Sequence, residues 1–172
     1  MKYYIGGRRK MRKRIKYLFL CIVTIGLLVG CTNSSKEQNV ESFIRKLVSY
    51  DTYKDISSLE ESGRFIEDCK SIFGEYITDD AFDLLMANRI FTRYSSVISE
   101  ASAVTDINFT KTSETENDGY IHFEYEVSYK IELNGETVDM KDYMAFNVLD
   151  EKGYKIEKVS ISDKTSSIFK AF

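Results

Sequence analysis

The chain has 172 residues, with 24 Lys or Arg against 27 Asp or Glu, 12 Tyr, 11 Phe, one His, three Cys, and neither Pro nor Trp. The first 30 residues hold eight of the basic groups and none of the acidic ones, so the remainder carries 16 basic against 27 acidic groups, a formal net of −11. Nucleic acid is excluded as a partner of such a domain, because that affinity comes largely from Lys and Arg on phosphates, and anionic lipid headgroups repel it.

The chain opens with a leader. Basic residues run from Arg8 to Lys16, an uncharged stretch follows from Tyr17 to Gly30, and Leu28-Val29-Gly30-Cys31 closes it. A positive segment, an apolar segment and small residues before a cut site make up a secretory signal. A permanent membrane helix needs about 20 apolar residues, more than this run supplies. The Met11-Arg-Lys-Arg-Ile-Lys segment makes a more typical basic region than residues 1–10, so translation is expected to begin at Met11. Gly26 and Gly30 form a G-x-x-x-G pair, a weak dimerisation motif inside a leader.

The quartet Leu28-Val29-Gly30-Cys31 resembles the lipobox of bacterial lipoproteins. The resemblance implies diacylglyceryl transfer to the Cys31 thiol, cleavage between Gly30 and Cys31, and a mature protein held by palmitate-type acyl chains on the outer, extracytoplasmic face of the cell membrane. Residues 1–30 are then signal peptide, 31–39 the lipidated Cys and a flexible polar tether, and 40–172 a single domain.

Of the three cysteines, Cys21 lies in the leader and Cys31 is the lipid acceptor, which leaves Cys69 alone in the mature chain. An internal disulfide framework is therefore excluded. The pattern Phe65-Ile66-x-x-Cys69-x-x-Ile72-Phe73 sets Cys69 on an apolar helix face, where a free thiol behaves as a small hydrophobe.

Three helices come first. Val40, Phe43, Ile44, Leu47 and Val48 recur at the spacing of an amphipathic helix that ends between Tyr50 and Asp55. A second spans about Ser58 to Phe73, turning Leu59, Phe65, Ile66, Cys69, Ile72 and Phe73 to the core, with Gly74 as its stop. Thr78 caps a third, with Asp79 and Asp80 in the first turn and Ala81, Phe82, Leu85 and Met86 buried. Ile90 to Ile98 fits either a continuing helix or a loop crossing the sheet.

Strands follow. Val104 to Thr112 reads as one, joined by a polar turn from Ser113 to Gly119 to a long strand in which every second residue from Ile121 to Leu133 is apolar. Strict alternation of this kind marks one buried face. Asn134-Gly135 is a two-residue hairpin signal. Thr137 to Leu149 is the next strand, and Glu151-Lys152-Gly153 turns into a last one from Tyr154 to Ser162. Tyr154 and Ile156 share one phase, Val159 and Ile161 the other, which predicts a bulge near Glu157-Lys158.

Helices followed by a four-stranded antiparallel meander make an α+β fold with the helices on one face of a curved sheet. The helix from Val40, the Tyr76-Ile-Thr78-Asp-Asp80-Ala-Phe82 entry and the closing long strands resemble the NTF2-like (cystatin-like) superfamily, whose bent sheet wraps a helix into a cone. That superfamily holds isomerases, dehydratases and binding modules, so the resemblance fixes no activity.

Candidate chemistry is sparse. His122, the single His, sits on the polar face of the long strand beside Glu124 and Glu126 and reads as a solvated surface residue. Asp79, Asp80 and Asp83 lie together, and the helix start accounts for the first two. No spacing of metal ligands and no phosphate-binding glycine loop occurs, so neither a metal nor a cofactor is expected. The many Tyr and Phe fall on core phases and read as packing. Asp142 alone among charged residues interrupts an apolar phase, that of Val138, Met140, Met144, Phe146 and Val148. It is the one candidate for a pocket carboxylate, and a bulge or edge position is expected to expose it. The sequence thus predicts a membrane-anchored, non-catalytic binding or accessory module of the cell envelope, partnered by the bilayer through acylated Cys31 and by an envelope protein or small ligand. The alternative is a small pocket enzyme of the isomerase or hydratase type.

Overall fold

The computed structural model describes residues 34–54, 56, 62–150 and 153–170. The leader, Gly30 and Cys31 lie outside these residues, as do Leu59, Glu151 and Lys152. Five helices precede four strands: α1 (Ser34–Leu47), α2 (Tyr50–Tyr53), α3 (Ser62–Phe73), α4 (Asp79–Ala87), α5 (Ile90–Ser99), β1 (Ala103–Asn117), β2 (Tyr120–Leu133), β3 (Glu136–Leu149) and β4 (Ile156–Ile161). The sheet is antiparallel throughout, in the order β1-β2-β3-β4.

Helix α1 buries Val40, Phe43, Ile44 and Leu47, as its periodicity requires. It begins at Ser34, so the stretch expected to remain a tether through residue 39 is helical from that point. Its polar residues hold it in place. The Asn39 side-chain amide donates to the carbonyls of Tyr76 (3.0 Å) and Tyr154 (2.9 Å), and Lys36 pairs with Asp150. In α3, Phe65, Cys69 and Phe73 are buried, but Ile66 is 44% exposed and outside the core predicted for it.

Helix α4 starts where the capping rule places it. The Thr78 Oγ1 accepts the Ala81 N–H at 3.2 Å, with Asp79 and Asp80 in the first turn. Thr78→Ala is expected to cost about 1 kcal/mol in urea denaturation, and Thr78→Asn much less, since Asn can make the same bond. The segment after it resolves as a helix. Arg89 takes a left-handed conformation (φ 58°) that ends one axis and starts another, and α5 buries Ile90, Phe91, Tyr94, Val97 and Ile98 along one stripe.

Asn134 and Gly135 have φ of 53° and 83°, both positive as a type I′ hairpin needs. This two-residue turn fixes the pairing of β2 and β3 without a slip from Leu133↔Glu136 to Tyr120↔Leu149. β1 is longer than predicted. Ser113 to Asn117 stay paired with β2, so the expected polar turn shrinks to Asp118 and Gly119. Two irregularities break β1, one between Thr105 and Asn108 and one between Lys111 and Ser113. The predicted bulge in β4 is present. Asn147 pairs with Lys158 and Val148 with Ile156, leaving Glu157 extra, and this lets Ile156 and Val159 both face inward.

One hydrophobic core joins the helices to a single face of the sheet. Phe43 of α1 makes edge contacts with Phe73 of α3 (5.7 Å) and Phe146 of β3 (6.0 Å), while Phe73 stacks on Phe91 of α5 at 4.6 Å. Such pairs add roughly 0.5–1.5 kcal/mol each beyond area burial. Among the described residues no helix is long and apolar enough to cross a membrane.

Candidate functional site: Asp142 and its enclosure

β4 pairs with β3 only as far as Ile161↔Met144. Beyond that point β3 has no strand on this side, so Asp142 does sit at an edge, as the sequence suggested. It is nevertheless fully buried, and the expected exposure is wrong. No bulge turns it outward, because Asp142 pairs regularly with Val127, and the chain after β4 doubles back over it as a strap. In that strap Ser166 Oγ accepts the Tyr143 N–H and Ser167 Oγ the Lys141 N–H, both at 2.9 Å. A short 3-10 turn, Ser167–Phe169, then sets Ile168 into the core.

The carboxylate is enclosed by donors from three directions. Oδ2 accepts the hydroxyls of Tyr94 on α5 (2.8 Å) and Tyr129 on β2 (2.9 Å), and Oδ1 accepts the Ile168 backbone N–H (3.1 Å). Burial raises the Asp142 pKa above the usual carboxylate range. The Ile168 amide, Tyr94, Tyr129 and the Ser167 amide pull the other way. Burial also pushes both phenols well above their ordinary value, and the negative charge of Asp142 adds to it, so both keep their protons and donate them. Tyr53 of α2 completes the polar interior. Its hydroxyl is buried with no hydrogen-bond partner among the described residues, and burial, then Cys69, raises its pKa.

Chemically this is a carboxylate between two phenols, the group types of a proton-transfer site. Both of its oxygens are occupied by the protein's own donors. A cavity of about 490 Å³ is lined by Ser128, Lys130 and Lys141 together with Tyr129 and Met140, and three others of 320 to 410 Å³ lie elsewhere; Asp142 itself lines none of the four.

The remaining candidates are scattered. His122 is part-exposed on the opposite sheet face, with Nδ1 2.8 Å from Asn147 Oδ1 and Nε2 3.4 Å from Glu124. Cys69 is buried, and burial followed by the Asp68 charge pushes its thiol up to about 12, so it is not a thiolate at neutral pH. Asp79 pairs with Lys70 at 3.0 Å. Among the described residues no three His, Cys, Asp or Glu side chains come together as a metal-binding group. Tyr94, Tyr53 and the strap were not singled out by the sequence reading. Tyr129 could have been, since a two-residue turn at Asn134-Gly135 makes it the diagonal neighbour of Asp142 on the core face.

No protein-family model matches the chain, and no curated protein matches it.

Proposed function

We propose that this chain is a bacterial lipoprotein, anchored through Cys31 on the extracytoplasmic face of the membrane, whose domain serves the cell envelope as a non-catalytic binding or accessory module. The observation that carries this reading is Leu28-Val29-Gly30-Cys31 placed directly after a basic and an apolar run. The surplus of 27 acidic over 16 basic groups beyond residue 30 fits a domain held off anionic headgroups and tied down by its lipid alone. Two acyl chains give stable anchoring where one is marginal. The proposal extends to an NTF2-like cone, and what supports it is the element order and the inward-facing side of β2 and β3. Mass spectrometry of protein extracted from its native membrane tests the anchor. A first residue Cys31 bearing a diacylglyceryl mass supports it, and an unmodified Cys31 still attached to residues 11–30 overturns it.

A second reading, a small isomerase- or hydratase-type enzyme, draws on one observation, the placement of Asp142 beside Tyr94 and Tyr129. A general base must come within hydrogen-bond reach of its substrate, and here Ile168 occupies that approach. Asp142→Asn keeps the shape and removes the base. In the binding reading the variant folds and retains its biological activity, whereas charge reversals on an exposed face abolish partner capture. Loss of activity in a stably folded Asp142→Asn protein favours the enzyme.

A further inference from the structure

The strap closes over an interior whose composition differs from the rest of the core. Elsewhere the helices and sheet meet through apolar side chains. Under the strap lie a carboxylate, two phenols that bond to it and a third buried phenol hydroxyl, that of Tyr53, with no partner among the described residues. Burying a carboxylate and an unpaired hydroxyl is costly, and an apolar filling of equal volume would stabilise a permanently sealed core better.

The strap is attached to β3 by hydrogen bonds of graded burial, from the exposed one at Ser167 through fully buried Ser166 to the buried one on Asp142. Two are serine hydroxyls accepting from the Lys141 and Tyr143 amides, and one is the Ile168 amide on Asp142. Ile168 is its one fully buried apolar side chain among the described residues. Phe169 is only partly buried, under the guanidinium of Arg93 at 4.9 Å, and the Nε of Arg93 has no hydrogen-bond partner. β4, by contrast, is held by a strand ladder, interrupted once at the Glu157 bulge, and by buried Ile156 and Val159. A hinge is visible where the ladder stops. The Ser162 N–H still reaches Tyr143 O, then Ser166 N–H turns back to Ser162 O and Thr165 Oγ1 donates to Ser162 Oγ at 2.7 Å.

We propose that residues 163–170 form a latch that opens as a unit about Ser162 while the rest of the domain stays folded, baring Asp142 with its two tyrosines and the edge of β3. Segments held by a few hydrogen bonds and little apolar burial open below the global unfolding free energy. In the closed state the chain's own Ile168 amide occupies Asp142 Oδ1, and in the open state that oxygen is bare to solvent.

Native-state hydrogen exchange on the full chain in detergent reads this directly. The amides of Lys141, Tyr143 and Ile168 are expected to exchange together, with protection at least about tenfold below that of the β2–β3 ladder and with little dependence on low denaturant. In the Ser166→Ala, Ser167→Ala double variant those three amides should speed up by a further factor of about ten while ladder protection holds. Exchange of the three amides only at the rate of the ladder, in the unsubstituted protein, overturns the latch. That measurement needs no variant to fold. A double variant that slows or leaves unchanged the strap amides also overturns it.

Discussion

Replacing Cys31 by Ser is expected to take the protein out of the membrane. On the proposed anchor the thiol would be the nucleophile that takes up the diacylglyceryl group, and a hydroxyl at this position would be neither alkylated nor a signal for cleavage before it. Without the lipid, attachment depends on a 14-residue uncharged run, Tyr17 to Gly30, too short for a stable span of about 20 residues. Fractionation should move the signal from the detergent-extracted membrane to the medium, or leave an unprocessed precursor whose mass includes the leader. A Cys31→Ser protein that stays in the membrane at the mature mass would sink the lipid-anchor reading. The fold should be unaffected, because Cys31 precedes the helix that begins at Ser34.

Asp142→Ala should be the most damaging polar substitution in the domain. It leaves the hydroxyls of Tyr94 and Tyr129 and the Ile168 amide without an acceptor and opens a void beneath the strap. Removing one partner from a buried charged network costs about 3–5 kcal/mol, a large part of the 5–15 kcal/mol that holds a small domain together. Asp142→Asn should cost far less, about 1 kcal/mol, since its amide can donate to the two tyrosine oxygens while its carbonyl keeps the Ile168 N–H.

The pH dependence separates charge from shape. Burial raises the folded-state pKa of Asp142 above its unfolded value. Between the two values the folded form holds a proton that the unfolded form has lost, so the contribution of this group to stability falls as pH rises. Below the unfolded pKa the cost of burying the charge is absent, and above the folded pKa it is present in full. The stability difference between Asp142→Asn and the unsubstituted protein should therefore shift in favour of the Asn variant from pH 4 to pH 7, measured by urea denaturation. A shift the other way would mean that the four donors outweigh burial.

Much of the fold is written in local patterns. The strict alternation of β2, the Asn134-Gly135 turn, the Thr78 cap and the phase change at Glu157 each depend on neighbours in the chain, and each appears where the residues put it. The errors lie where distant segments decide. Polar residues 34–39 look unanchored until Tyr76, Asp150 and Tyr154 are brought beside them. Ile66 fits the helical stripe, yet among the described residues it stays 44% exposed. Asp142 was recognised as anomalous, and even its place at the edge of β3 could be read. Its burial could not, because the covering strap has a Ser-Ser-Ile sequence whose use is to supply hydroxyls and one amide to a strand about 25 residues earlier.

β1 has a bearing on how copies of this chain meet one another. On the proposed anchor they would meet in two dimensions, where a long straight outer strand would invite neighbour after neighbour to pair with it. The two irregularities in β1 interrupt its rhythm, and Asp106, held in a left-handed turn of φ 53° and paired with Lys130 at 2.8 Å, kinks one of them. Lys111 and Glu114, joined at 2.6 Å, sit at the other. A 15-residue border that could have seeded a filament is instead broken into short charged lengths, poor templates for another copy's strand.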